Sequence, residues 1–98
     1  MKKWKFTGET KQWGKTTLRR IVAVRHFGVI SPGELGGWIE KESNLSHSGT
    51  AWVFEEAEVM GGVRIAGNAE VFGPVHIDGS GGVKISGNIW VSGNRKEA

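Results

Sequence analysis

The sequence predicts an all-β protein: a short β-solenoid of six-residue repeats, about three coils long, behind an N-terminal β-hairpin cap. An aliphatic residue returns at every sixth position, as in Val59-Met-Gly-Gly-Val63-Arg, Ile65-Ala-Gly-Asn-Ala69-Glu, Val71-Phe-Gly-Pro-Val75-His, Ile85-Ser-Gly-Asn-Ile89-Trp and Val91-Ser-Gly-Asn. Glycine stands third in these hexads and a turn-forming residue usually fourth. Neither the 3.6-residue period of a helix nor simple strand alternation yields a spacing of six.

Each position has a chemical reason. Two inward side chains separated by one outward side chain make a short strand, and Gly-Asn or Gly-Pro then turns a tight corner. Three such edges close a triangle, so one coil takes about eighteen residues. The repeat runs weakly upstream: Leu35-Gly-Gly-Trp-Ile39-Glu fits, whereas Lys41 and His47 fall where an aliphatic belongs. Hexads opening at 35, 41, 47, 53, 59, 65, 71, 77, 85 and 91 make a little over three coils, with two extra residues in Asp78-Gly-Ser-Gly-Gly82 read as a small loop. His47 is expected to turn inward. After Asn94 the chain lacks a final aliphatic edge, so the tail through Ala98 leaves the last coil unfinished.

Residues 1–32 follow a different pattern. Trp4-Lys-Phe6 and the alternating run Thr16 to Phe27 are expected to be strands joined through Gly8 to Gly14, with Gly28 to Pro32 as connector. Solenoid ends expose core and strand edge, and a hairpin cap covers one of them. The expected division is a cap over 1–32 and a solenoid over 33–98, packed as one unit.

The 98 residues carry a net charge of +3, unevenly shared. Residues 1–28 hold eight Lys and Arg against Glu9 alone, a net of +7, and the remainder nets −4. That split suits an anion-binding face, mutual attraction between subunits, or a solvated basic hairpin. Without cysteine, neither disulfides nor thiolate metal sites are available, so packing and oligomerisation must stabilise the fold. No apolar run approaches the ~20 residues of a membrane span, and the basic start lacks a signal-peptide core. The expected location is the cytoplasm.

Several stretches resemble a family. Gly33-Glu-Leu-Gly-Gly-Trp-Ile-Glu-Lys-Glu-Ser-Asn-Leu-Ser46, Ala51-Trp-Val-Phe54, the Ala-x-Val-x-Gly coils, Lys5-Phe-Thr-Gly-Glu-Thr10 and Arg25-His-Phe-Gly28 are similar to short phage- and prophage-borne hexapeptide-repeat proteins. Such proteins are often labelled putative transferases or polymer-forming proteins. The resemblance implies a left-handed parallel β-helix, commonly a homotrimer, and a phage-encoded member would work in the host cytoplasm. It specifies a shape more than a chemistry.

Folding the hexads by eighteen collects outward residues on three faces. One holds Trp52, Phe54, Glu70, Phe72, Trp90 and Ser92, the second Glu40, Glu42, Glu58, Met60, His76 and Asp78, the third Ser46, Ser48, Arg64, Ala66, Lys84 and Ser86. The rings of Trp52, Phe54, Phe72 and Trp90 are each able to bury ~150–250 Å², which predicts an oligomer interface there, with a trimer favoured. Arg64 and Lys84 lie one coil apart, and Arg suits phosphate or carboxylate. Together with Trp52 and Trp90 they form the candidate site for a small anionic, nucleotide-like ligand.

Catalytic machinery is sparse. Many hexapeptide-repeat proteins are acyltransferases in which a His is the general base at a subunit interface. His76 is the best-placed histidine, with Asp78 two residues along the same strand face. The chain shows no long acceptor loop to accompany it, so no catalytic residue is assigned. His26, His47 and His76 fall on different parts of the fold, so no metal site is assigned either, and no cofactor is expected. Lys2, Lys3, Trp4, Lys5 and Phe6 interleave cations with rings, but the lack of a recognition helix makes nucleic acid an unexpected partner. The preferred function is a non-catalytic oligomeric binding protein of phage or mobile-element type, serving counter-defence by capturing a nucleotide-like ligand or a host protein. The alternatives are a small hexapeptide-type acyltransferase and a structural or assembly module.

Overall fold

The computed structural model describes residues 2–79 and 82–92. Expectations for the middle of the 78–82 loop and for the C-terminal tail therefore lie outside the described residues. The protein is all-β. Among the described residues ten strands run in the order β1 (Trp4–Trp13), β2 (Thr16–Ala23), β3 (Leu35–Ile39), β4 (Trp52–Val53), β5 (Glu58–Gly61), β6 (Arg64–Ile65), β7 (Glu70–Phe72), β8 (His76–Gly79), β9 (Lys84–Ile85) and β10 (Trp90–Ser92), with a 3-10 turn at Glu42–Asn44.

From β3 onward the chain visits three parallel ladders in rotation. The first sheet has the order β1-β2-β3-β5-β8, the second β10-β7-β4, and the third pairs β6 with β9. Trp38 pairs with Glu58 and Glu58 with His76; Trp52 pairs with Glu70 and Glu70 with Trp90; Arg64 pairs with Lys84. The side chains at the interior positions meet the expectation: Val59, Ile65 and Val71 are fully buried, and Ile85 packs partly buried against them. None of the helical structure among the described residues is long and apolar enough to cross a membrane.

A corner glycine carries the tight geometry. Gly67 has φ +65°, and a Cβ there would stand 2.7 Å from the backbone nitrogen of Gly87 on the next rung. A side chain at that corner would be strained and would push the rungs apart.

The first coil departs from the expected register. Ile39 pairs with Val59 and Leu45 bridges to Ile65, twenty positions on, whereas Val53 pairs with Val71, eighteen on. Two extra residues therefore lie between Ser46 and Thr50. This slip turns the upstream hexads out of phase. Leu35 is 44% exposed, Lys41 is exposed, and His47 is half-buried against Trp4 rather than enclosed in the interior of the ladders. It also puts Trp38, not Glu40, beside Glu58, whereas Met60 lies beside Asp78 as the eighteen-residue stacking expects. Asn44 anchors the displaced segment: its Oδ1 accepts from the backbone N–H of Glu40 and Lys41, and its Nδ2 donates to the carbonyls of Gly61 and Val63.

The first N-terminal strand is longer than expected, and the second ends at Ala23 rather than Phe27. β1 continues through Gly8 to Trp13, absorbing a bulge between Phe6 and Thr10, and turns at Gly14 into antiparallel β2. β2 then pairs antiparallel with β3, so the hairpin joins the first sheet. Although β1 and β8 stand at opposite ends of the strand order, Trp13 stacks on His76, so the hairpin bends over the outer face of the parallel strands.

Candidate functional site

The bent hairpin brings its basic residues onto the acidic body. Lys11 Nζ forms an ion pair with Glu58 at 2.5 Å and sits 4.6 Å from the Trp38 ring centre. Arg20 covers the same indole at 4.7 Å, and Lys2 pairs with Glu42 at 2.9 Å. Arg19 donates to the Glu40 carbonyl at 2.7 Å. Much of the charge split is thus consumed inside the chain. The N-terminal run of cations and rings is split: Lys3 is fully buried, donating to the carbonyls of Ser48 and Gly49, and Trp4 is 1% exposed, whereas Lys2 and Lys5 stay exposed.

At the far end of β1 this packing builds a compact constellation. His76 Nδ1 donates to Glu58 Oε1 at 2.9 Å, across adjacent rungs. Glu58 Oε2 is held by Lys11, so both carboxylate oxygens are engaged. Trp13 lies flat on the imidazole, with ring centres 4.0 Å apart and planes 16° apart. Burial by itself would raise the Glu58 carboxyl, but the hydrogen bonds from Lys11 and His76 outweigh it and hold it below the usual carboxylate value. Donation from Nδ1 leaves the lone pair of the neutral ring on Nε2, which is buried and without a partner. A cavity of about 190 Å³ adjoins the pair, lined by Glu56, Glu58, Pro74, Val75 and His76. A histidine oriented by a carboxylate through one nitrogen, with the other nitrogen free, is equipped to take a proton.

The expected partner of His76 was Asp78, and the structure replaces it with Glu58. Successive same-face residues along a strand are about 6.6 Å apart, whereas neighbouring strands lie only ~4.8 Å apart. The rung neighbour is therefore the nearer one. Lys11 and Trp13 carried no sequence signal, because their contribution depends on how the hairpin folds over.

His47 makes a similar but closed arrangement. Its Nε2 donates to Glu42 at 2.8 Å, Nδ1 accepts the Lys3 backbone N–H, and Trp4 stacks on the ring at 4.5 Å. Both nitrogens are satisfied, leaving none for chemistry.

The residues singled out for ligand binding and oligomerisation separate. Arg64 and Lys84 are adjacent in parallel register and exposed, and Arg64 also donates to the Ser43 carbonyl at 3.3 Å. Trp90 is 73% exposed. Phe54 and Phe72 meet edge to face at 6.0 Å and are partly buried. Trp52 differs: it is 1% exposed, enclosed by this chain's own Phe27 at 5.3 Å. The aromatic face expected to run from Trp52 to Trp90 is therefore interrupted, because the segment after the hairpin covers its first ring.

No protein-family model matches the chain. Over 75 residues, 76% of its length, it is 33% identical to a protein of Escherichia coli (strain K12) named as an uncharacterized acetyltransferase, YdcK. The chain spans 22% of that protein.

Proposed function

We propose that the chain is the left-handed β-helical part of an acyl-transfer protein of the hexapeptide class, with residues 1–32 as its cap and His76 as its general base. Ladder spacings of eighteen and twenty residues support the coil reading, and the acetyltransferase name of the similar bacterial protein supports the chemistry. The observation that carries the role of His76 is its carboxylate-oriented ring at the cavity wall, with Nε2 unpaired.

In this mechanism Glu58 holds Nδ1–H and stabilises the imidazolium that forms, while Lys11 keeps Glu58 ionised. Nε2 takes a proton from the acceptor as the acceptor attacks the carbonyl carbon of an acyl thioester. The C–S bond breaks, and the proton held at Nε2 passes to the departing thiolate, which leaves as the thiol. The test is turnover of acetyl-coenzyme A with a panel of amine and hydroxyl acceptors. General-base loss predicts a fall of about 10²–10⁴-fold for His76→Ala. Turnover equal to wild type in that variant refutes the role of His76, and no turnover with any acceptor refutes acyl transfer.

The exposed, adjacent Arg64 and Lys84 favour a second reading, a non-catalytic oligomer that binds a small anion. Native mass spectrometry of protein taken directly from cells would reveal subunit number and any retained ligand. Nucleotide binding unchanged by Arg64→Ala with Lys84→Ala would refute that site.

A further inference from the structure

We infer that the cavity beside His76 takes a primary ammonium group, and that Glu56 selects it over an alcohol; this rests on the acyl-transfer reading above. Among the described residues five line the space, two of them carboxylates and none a lysine or arginine. Glu58 is already neutralised, one oxygen held by His76 and the other by Lys11. Glu56 is exposed, and its carboxylate makes no ion pair or hydrogen bond among the described residues. The cavity thus carries one uncompensated negative charge beside the ring of His76, whose Nε2 is unpaired but covered.

Size restricts the ligand further. About 190 Å³ lies below the ~300–1,000 Å³ of sites that enclose whole drug-sized ligands. It has room for the end of an aminoalkyl chain, with Pro74 and Val75 offering apolar contact to its methylenes. An ammonium ion gains a charge-assisted hydrogen bond from Glu56, and a neutral alcohol gains no comparable charge term.

The chemistry balances. A bound R–NH3⁺ must lose a proton before its nitrogen can attack. His76 Nε2, covered in the resting protein, accepts that proton as the ring turns toward the cavity, and the proton then leaves to solvent. The N–C bond then forms as the thioester C–S bond breaks, and a second proton from nitrogen ends on the departing thiolate. The products are an amide, a thiol and one released proton.

The experiment titrates n-butylamine and n-butanol into the full chain, following the backbone amides of Val75 and His76 and the His76 ring by NMR. Butylamine should bind saturably, butanol should not, and Glu56→Gln should weaken the amine by about tenfold, the scale of one charge-assisted hydrogen bond. In transfer assays Glu56→Gln should raise KM for an amine acceptor with kcat nearly unchanged. Equal shifts from butanol, amine binding indifferent to Glu56→Gln, or transfer that prefers hydroxyl acceptors overturns the inference. The two readings fail separately. Glu56-dependent amine binding without acyl turnover sinks acyl transfer and leaves the amine site standing, whereas turnover on alcohols alone does the reverse.

Discussion

Replacing Asn44 with alanine should be the most damaging single polar substitution in the first coil. Its fully buried carboxamide serves four backbone groups: two N–H donors on its own segment and two carbonyls on the following coil. Glu40 N–H retains the Val59 carbonyl as a second acceptor at 3.1 Å. Lys41 N–H and the Gly61 and Val63 carbonyls lose the Asn44 partner. At about 1 kcal/mol for each group that water can partly reach, and more where it cannot, the loss is about 3 kcal/mol. For a domain of this length that corresponds to a fall in Tm on the order of 10–20 °C. Urea unfolding followed by circular dichroism measures it, with Ser43→Ala as an exposed neighbour for comparison. Asn44→Asp supplies a second test. It keeps both acceptor bonds, loses both donations, and buries a carboxylate, so its deficit should shrink at low pH where a protonated acid can donate again. A loss below 1 kcal/mol in Asn44→Ala, with the native spectrum retained, would refute the claim that this side chain couples the coils.

Two further predictions concern stability. Burial, followed by the charge of nearby Arg25, lowers the Lys3 ammonium to about 8. Because the unfolded value is near 10.5, the unfolded chain holds more protons between those values. Stability should therefore rise with pH across that window, by up to about 1.4 kcal/mol per pH unit. Lys3→Met should abolish that rise, and a flat wild-type profile would refute the shift. Gly67→Ala should cost about 2 kcal/mol or more from positive φ and contact with the next rung. Gly14→Ala, at φ +62° with nothing within 4 Å, should cost only the conformational part. Equal losses in chemical denaturation would show that rung contact contributes nothing.

Both members of the candidate dyad were legible in one respect. Stacking by eighteen puts Glu58 and His76 on the same face, and they do occupy neighbouring rungs. Pairing His76 with Asp78 instead followed the strand direction, where same-face neighbours are the more distant ones. The slip between Ser46 and Thr50 was harder to read, since neither Lys41 nor His47 carries an aliphatic side chain to mark the frame. Leu45, aliphatic and buried, is the residue whose position reveals it.

Local chemistry by itself determined that the protein is all-β, that Val59, Ile65 and Val71 are interior, and where the chain must bend. Those properties belong to single residues and their near neighbours: branched apolar side chains suit strands, and glycine tolerates corners. Only the tertiary structure decided that Phe27 encloses Trp52, that Lys11 saturates Glu58, and that Trp13 lies on His76. Each depends on a hairpin folding across strands tens of residues away. That placement is set by the combined burial and charge of many contacts, which no short stretch of sequence encodes.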